Sequence, residues 1–205
     1  MTIWAIVPVK PFVRAKSRLA SVLTPAQREA LAERMLRHGL ETLSSVPAIA
    51  GVMVISRDTK VLAIAREYGA QTVQESGAPE LNAALLRATE LARLRGAAGV
   101  LVLPADLPLY TAQDIEEVLQ LGRYGQTVVL VPDRNEDGTN AMLVKPPALI
   151  PYSFGAGSFQ RHCALAEQHG AALKIHRSER LSVDIDTPSD LAFYQAQFGD
   201  ITYAS

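Results

Sequence analysis

The chain has 205 residues, of which 48% are hydrophobic and 20% are charged. This is the composition of one globular domain and excludes a disordered chain. Twenty Lys and Arg residues nearly balance 21 Asp and Glu residues, so the formal net charge is -1. That balance argues against nucleic acid or a membrane surface as a partner, because no whole-molecule field attracts either one. Binding of a polyanion would depend on a local cluster of cations.

The single cysteine, Cys163, has no second thiol for an internal disulfide or a CxxC pair, which fits a reducing cytoplasm. Its place in a predicted helix favours a packed core thiol over a catalytic one. No apolar run approaches the roughly 18 residues of a membrane span, and residues 1–9 lack the basic region of a signal peptide. We therefore expect a cytoplasmic protein.

The first half of the chain alternates predicted strands and helices. The continuous apolar run 3–7 is typical of a central parallel strand covered on both faces. Thr24 to Gln27 supply an N-cap, a first-turn proline and a capping-box partner for the clearest helix. The other predicted elements of this half are strands at 52–55, 72–73 and 100–103, and helices at 61–68, 81–95 and from the Thr111 cap to about 121. The alternation predicts a mostly parallel α/β sheet with helices on both faces.

The second half is less regular. It contains predicted strands at 128–131, 141–144 and 172–175, a polar turn at 133–138, and a helix that follows the loop 154–158 and ends near Gly170. Ser158 is expected to be the N-cap of that helix, and Thr187 or Asp186 to cap the final one. No repeat, linker or low-complexity segment divides the chain, so we expect a single domain, residues 1–205.

Four cations follow the first predicted strand. Ligands of an open parallel sheet bind outside the carboxyl ends of its strands, where this chain has Lys10, Arg14, Lys16 and Arg18. The segment lacks the glycines and the Gly-Lys-Ser/Thr ending of a Walker loop. Clustered cations suit phosphate groups, with Lys as a point charge and Arg as a two-pronged donor. A solvated basic loop is an equally good interpretation of this segment alone.

A lone carboxylate, Asp106, follows the strand at 100–103 and lies between two prolines. Such a position suits Mg²⁺, which keeps several waters and binds through one or two carboxylates plus substrate phosphates. The alternative is a turn or helix-cap aspartate. Asp106 lies too far before Thr111 to cap the following helix directly, which favours a functional role.

A second acidic feature is the pair Asp184 and Asp186. In an extended segment the two side chains point the same way, which is costly unless a cation lies between them. The alternative is that Asp186 caps the last helix and Asp184 is solvated. Glycosyltransferases and haloacid-type phosphatases also carry a D-x-D pair, but the phosphatases have it directly after the first strand, where this chain has 8–10. Glycosyltransferases usually have it in mid-chain, where this chain has the single Asp106.

Two loops rich in small residues, 138–140 and 155–158, complete the candidate site. Small residues allow the backbone to approach an anion, and a helix N-terminus presents free amides to it. Either loop is equally explained as an ordinary turn. His162, one helical turn beyond Ser158, is expected to orient the loop rather than to act as a base or a metal ligand.

Taken in order, these segments resemble one family, the 2-phospho-L-lactate or phosphoenolpyruvate guanylyltransferases of coenzyme F-420 biosynthesis. The resemblance spans nearly the whole chain and is carried by residues 7–10, 15–19, 81–85, 105–109, 138–141, 154–159, 161–162 and 183–188. One departure is Asp137, where we expect many members to have a second glycine before Gly138.

The resemblance implies a single-domain, GT-A-like nucleotidyltransferase fold and a reaction in which GTP and a phosphorylated three-carbon acid yield a guanosine diphospho-linked product and pyrophosphate. It also implies roles for individual residues. Asp106, Asp184 and Asp186 would hold magnesium; Thr139, Gly155 and Ser158 would bind the acceptor; Lys10, Lys16, Arg18 and Asn82 would bind GTP; and Lys16, Arg18 and Asp106 would be catalytic.

The implied chemistry needs no general base, because a phosphate with a second pKa near 6 is already largely an anionic nucleophile at neutral pH. The alternatives are a nucleotidyltransferase for a sugar phosphate or molybdopterin, and a regulatory module that binds GTP without turnover. Phosphoenolpyruvate is preferred as the acceptor on the family's bacterial branch, which the Ala- and Arg-rich composition suggests. A homo-oligomer is compatible with amphipathic helices such as 31–43.

Overall fold

The structure is a computed structural model that describes residues 2–75 and 80–199. Its strands are β1 (Ile3–Pro8), β2 (Ile49–Ser56), β3 (Gln71–Gln74), β4 (Gly99–Val102), β5 (Thr127–Pro132), β6 (Thr139–Lys145) and β7 (Ala172–Ile175). Its α-helices are α1 (Pro25–Ser44), α2 (Thr59–Glu67), α3 (Leu81–Leu94), α4 (Ala112–Leu121), α5 (Ser158–Gln168) and α6 (Pro188–Phe198). Two short 3₁₀ helices, Phe12–Arg14 and Ser17–Leu19, follow β1.

The strands form one sheet in the order β3-β2-β1-β4-β6-β5-β7. β1 is central and pairs in parallel with β2 and β4, as its apolar run predicts. β6 is the exception, because it runs antiparallel to both β4 and β5. The short polar turn between β5 and β6 forms a hairpin-like connection, whereas a parallel pair would need a long crossover. The sheet is therefore mostly parallel, as predicted, with one reversed strand in the less regular half.

The core has a layer on each face of this sheet. Ile3, Ala5 and Val7 of β1 belong to a buried cluster with residues of α1, α2 and α4. Trp4 and Ile6 point to the other face and pack with residues of α3 and α5. Alternate side chains of one strand are thus buried on opposite faces, which is why β1 reads as a continuous apolar run. Helices on both faces confirm the predicted architecture.

Helix caps agree with the sequence at three ends and differ at a fourth. Thr24, Thr111 and Thr187 each form a capping box, so Asp186 does not cap α6. The N-cap of α5 is Gly157 rather than Ser158. Gly157 has a φ of 68°, which glycine adopts at little cost. Ser158 is therefore the first residue inside the helix, where its side chain is buried.

Cys163 is partly buried and packs against the core on the α3 and α5 face, as predicted for a core thiol. Burial raises the pKa of its thiol, with further contributions from the charges of Glu167 and Glu136. Among residues 2–75 and 80–199, no helix is both long and apolar enough to span a bilayer.

Candidate active site

The strands open at their carboxyl ends into a cleft of about 610 Å³. Most of the predicted site residues line it: Lys10, Lys16, Asp106, Thr139, Gly155, Ser158, Asp184 and Asp186. They come from the loops after β1 and β4, from the first residue of the reversed strand β6, from the loop before α5 and the first residue of that helix, and from the segment before α6. Segments far apart in the sequence thus meet at one edge of the sheet, as expected for a sheet of this kind.

Lys16 connects the basic loop to the acids. Its backbone is in the left-handed region, with a φ of 54°, a conformation that is uncommon outside glycine and that clusters at functional sites. The Nζ atom lies 3.4 Å from Oδ2 of Asp106 and 3.3 Å from Oδ1 of Asp186. Arg18 is far more exposed and places a guanidinium nitrogen 3.5 Å from Oδ2 of Asp186. The two clusters of opposite charge are therefore in contact.

The three predicted carboxylates form one acidic group. The amide of Ile185 donates to the carbonyl of Asp106 at 3.3 Å, which joins the two acidic segments. Burial, followed by the charge of Asp106 and then that of Asp186, raises the pKa of Asp184 to about 6. Burial also acts to raise the pKa of Asp106, but the charge and hydrogen bond of Lys16 hold it below the usual value. Negative charge is therefore least compensated at Asp184.

The carboxylates of Asp106, Asp184 and Asp186 fit a Mg²⁺ site in which bound substrate supplies some of the ligands. Within the described residues, no cluster of three or more His, Cys, Asp or Glu side chains forms a ready-made metal site. An ammonium group, that of Lys16, lies between the carboxylates of Asp106 and Asp186. The oxygen ligands of these acids and Asp184 suit a hard cation. Mg²⁺ also needs only one or two carboxylates when phosphates and waters supply its other ligands.

Asp137, the departure from the family pattern, joins the two loops predicted to bind the acceptor. Its carboxylate accepts a hydrogen bond from the amide of Gly157 at 3.0 Å, and its carbonyl accepts one from the amide of Phe159 at 3.0 Å. The polar turn before β6 is thereby attached to the start of α5. A second glycine at this position would lack the carboxylate bond.

His162 is buried between the same loops and holds Thr139. The amide of Ser153 donates to Nε2 at 3.0 Å, so Nδ1 carries the proton and donates to Oγ1 of Thr139, also at 3.0 Å. Ser158 donates to the same threonine oxygen at 3.3 Å. Burial, together with the charge of Arg161, lowers the pKa of His162 to about 4. A neutral imidazole thus orients the loop, as the sequence predicts.

Asn82 fixes a neighbouring part of this loop. Its side-chain amide donates to the carbonyl of Phe154 at 3.3 Å and accepts from the amide of Phe154 at 2.8 Å. Asn82 is not among the residues that line the cleft. A contact between Asn82 and the nucleoside stays a prediction, and the contacts observed are those of a loop anchor.

Four charged residues that line the cleft were not predicted, namely Arg57, Glu75, Glu80 and Asp133. Three of them follow strands: Arg57 follows β2, Glu75 follows β3 and Asp133 follows β5. The carboxylate of Asp133 accepts hydrogen bonds from the amides of Asn135, Asp137 and Gly138, at 3.0 Å each. Lys10 and Asp106 were located by the rule that ligands bind outside the carboxyl ends of parallel strands. The rule also applies to the positions after β2, β3 and β5, but each of these positions holds a single charged residue outside any distinctive motif.

Comparisons with known proteins agree with this geometry. The family model described as "Guanylyl transferase CofC like" matches residues 3–199. A phosphoenolpyruvate guanylyltransferase of Rubrobacter xylanophilus is 40% identical over 204 residues, covering 97% of this chain and 96% of the relative. A 2-phospho-L-lactate guanylyltransferase of Methanothermobacter thermautotrophicus is 33% identical over 187 residues, covering 91% and 81%.

Solved structures show the same fold at low sequence identity. A nucleotidyl transferase from Methanothermobacter thermautotrophicus superposes with a TM-score of 0.67 at 17% identity, covering 96% of this chain and 97% of the other. A 4-diphosphocytidyl-2C-methyl-D-erythritol synthase from Anaerococcus prevotii superposes with a TM-score of 0.64 at 13% identity, covering 95% of each chain. The fold is therefore that of the nucleotidyltransferases, and the family match over residues 3–199 shows that this chain belongs to the CofC-like guanylyl transferases.

Proposed function

We propose that this protein transfers GMP from GTP to phosphoenolpyruvate, forming enolpyruvoyl-2-diphospho-5′-guanosine and pyrophosphate in coenzyme F-420 biosynthesis. The observation that carries the proposal is the position of Lys16 between the carboxylates of Asp106 and Asp186, in a cleft that Thr139 and Ser158 also line. The names of the relatives support the choice of guanylyl transfer over other nucleotidyl transfers.

In the proposed reaction, a phosphate oxygen of phosphoenolpyruvate attacks the α-phosphorus of GTP. A new P–O bond forms, the bond between the α-phosphorus and the bridging oxygen breaks, and pyrophosphate leaves with that electron pair. The attacking phosphate is largely deprotonated at neutral pH, so no side chain has to remove a proton. The protein has to align two anions and reduce their repulsion.

The cations after β1 are suited to reduce the repulsion between the two anions. Lys16 is nearly buried, with 5% of its side chain exposed, so its charge acts at short range in a poorly solvated site. Together with Lys10 and the exposed Arg18, it would hold the triphosphate and stabilise the departing pyrophosphate. Asp106, Asp184 and Asp186 would hold Mg²⁺, which when bound neutralises phosphate charge and orients the reacting groups.

The loops on the far side of the acids would bind the acceptor. Thr139 accepts hydrogen bonds from His162 and Ser158, which leaves its own hydroxyl proton to donate to an anion. Gly155 has a φ of 126°, a conformation open mainly to glycine, and it lines the cleft beside Ser158. The N-terminus of α5 adds the positive end of a helix dipole.

A second candidate acceptor is 2-phospho-L-lactate, because the relative from Methanothermobacter thermautotrophicus carries that name. It has the same phosphate and carboxylate and would use the same loops. We place phosphoenolpyruvate first because the relative with 40% identity is named for it.

The test is a turnover assay with purified protein, Mg²⁺ and GTP, in which either acid or a sugar phosphate is the acceptor. We expect pyrophosphate release and a guanosine diphospho-linked product of the mass calculated for phosphoenolpyruvate, with a lower kcat/KM for 2-phospho-L-lactate. A higher kcat/KM for 2-phospho-L-lactate would reverse the choice of acceptor. Preference for a sugar phosphate, or GTP binding without pyrophosphate from any acceptor, would contradict the proposal.

A further inference from the structure

The cleft continues past the acids to the β2 and β3 side of the sheet. The acids and the acceptor loops belong to segments that follow β4, β5, β6 and β7, which all lie on one side of β1, and β2 and β3 lie on the other side. If the proposed donor is GTP, on which this inference rests, its triphosphate lies at the basic loop after β1 and its base extends toward β2 and β3. The residues that line this end of the cleft include Ile55, Arg57, Glu75, Leu81 and Ala84.

Glu75 and Arg57 form a fixed charged pair at this end. Ser56 of β2 is paired with Gln74 of β3, and the amide of Glu75 donates to the carbonyl of Ser56 at 3.0 Å. This register places the next residues, Arg57 and Glu75, side by side, with Nε of Arg57 3.7 Å from Oε2 of Glu75. Only 16% of the Glu75 side chain is exposed. The two strands therefore fix the backbone of this pair in the cleft wall, and the ion pair brings the carboxylate beside the guanidinium group.

The surroundings of this pair suit a planar base. Ile55 is buried and, with Leu81 and Ala84, contributes apolar side chains to the cleft beside the two charges. Small-molecule sites are generally built in this way, with apolar walls and a few placed polar groups that fix orientation. Arg57 and Glu75 line the cleft, whereas an ion pair that served only to join β2 and β3 could lie anywhere along the two strands.

We propose that Glu75 reads the Watson–Crick edge of guanine. That edge presents two neighbouring donors, N1–H and the 2-amino group, and a carboxylate is an acceptor with two oxygens that can receive both. Adenine has an acceptor nitrogen at position 1 and no 2-amino group, so the carboxylate would repel it. Arg57 orients Glu75 through the ion pair and supplies donors of the kind that recognise the O6 and N7 atoms of guanine.

The test uses xanthosine triphosphate (XTP), in which a carbonyl replaces the 2-amino group of guanine. In Glu75→Gln, the carboxamide oxygen still accepts from N1–H, while its amide donates to the new carbonyl. We expect the wild-type chain to prefer GTP to XTP, and Glu75→Gln to bind GTP about 10- to 100-fold more weakly and XTP more tightly than wild type does. Titration calorimetry on the full chain with Mg²⁺ measures both affinities.

Two further variants test whether the change in nucleotide affinity is specific to the carboxylate of Glu75. Glu90→Gln removes a carboxylate that pairs with Arg93 on the surface of α3, and we expect it to leave both affinities unchanged. Glu75→Ala removes both acceptor oxygens and should bring the ratio of the two affinities toward one. Thermal unfolding of each variant checks that it is folded.

The proposal is overturned if the wild-type chain does not distinguish GTP from XTP, or if both Glu75 variants keep the wild-type ratio. It is also overturned if Glu80→Gln produces the switch instead, since the exposed Glu80 is another carboxylate at this end of the cleft. Binding is measured without turnover. If Glu75 discriminates between GTP and XTP in the binding experiment but the turnover assay yields no pyrophosphate, the proposed reaction is refuted while the recognition of guanine by Glu75 still holds.

Discussion

Nδ1 of His162 lies 3.0 Å from Oγ1 of Thr139, in the interior behind the acceptor loops. The imidazole does not line the cleft, so it is a positioning residue that acts through the threonine. We expect His162→Phe, which keeps a ring but loses both hydrogen bonds, to raise the KM for the acceptor about 10-fold or more, because small displacements of a binding group are costly. The KM for GTP should change little.

The conservative variant His162→Asn separates positioning from packing. Its amide nitrogen is the same number of bonds from Cα as Nδ1, so it is able to donate to Thr139 and should restore much of the acceptor KM. His169→Gln, at the exposed C-terminal end of α5, is the matched control and should resemble wild type in steady-state kinetics. Equal increases of both KM values in His162→Phe would instead indicate general loosening of the fold.

His162 also makes stability depend on pH. Its pKa falls from an ordinary 6.5 to about 4 on folding, chiefly through burial. The unfolded chain therefore takes up this proton first as the pH falls. The contribution of neutral His162 to the free energy of unfolding is fully present above pH 6.5. It is lost as the pH falls from 6.5 to 4, a change of order 3 kcal/mol. Urea unfolding from pH 7.5 to 4 should show a steeper loss of stability in wild type than in His162→Asn, and parallel profiles would refute this.

Features set by local sequence were predictable. Thr24 forms its capping box with Gln27, three residues away. The residues between β1 and α1, and those after β4, were located by the rule that ligands bind at the carboxyl ends of parallel strands. Lys16 and Asp106 meet in the structure because they follow β1 and β4, which are parallel neighbours in the sheet.

Features set by tertiary contacts were not predictable. Apolar periodicity carries no information on strand direction, so the reversal of β6 was not foreseen. Asn82 contacts Phe154, which is 72 residues away, and no local pattern relates the two. The same holds for Arg57 and Glu75, which only the register of β2 with β3 brings together. Ser158 was expected to be the cap of α5, but the positive φ at that turn selects Gly157.

Lys16 and Arg18 should differ in importance although both are cations of the same loop. The side chain of Lys16 is 5% exposed and that of Arg18 is 73% exposed, so water screens the arginine far more. We expect Lys16→Met to lower kcat about 10²- to 10³-fold and Arg18→Met about 10-fold or less. Lys174→Met, on the edge strand β7, is the control for loss of a positive charge. Equal losses at positions 16 and 18 would contradict a special role for the buried ammonium group.

Magnesium binding should weaken in acid because of Asp184. Burial and the charges of Asp106 and Asp186 raise the pKa of its carboxyl to about 6. Below that pH the group is increasingly protonated, and a protonated carboxyl is a poor ligand, so protons compete with the metal. We expect the Mg²⁺ concentration at half-maximal activity to rise as the pH falls from 7.5 to 5.5, and to rise less steeply in Asp184→Asn, which requires more Mg²⁺ at every pH. Glu90→Gln is the control, since that carboxylate instead pairs with Arg93 on the surface of α3. A wild-type Mg²⁺ requirement that stays constant across this range would show that Asp184 does not bind the metal.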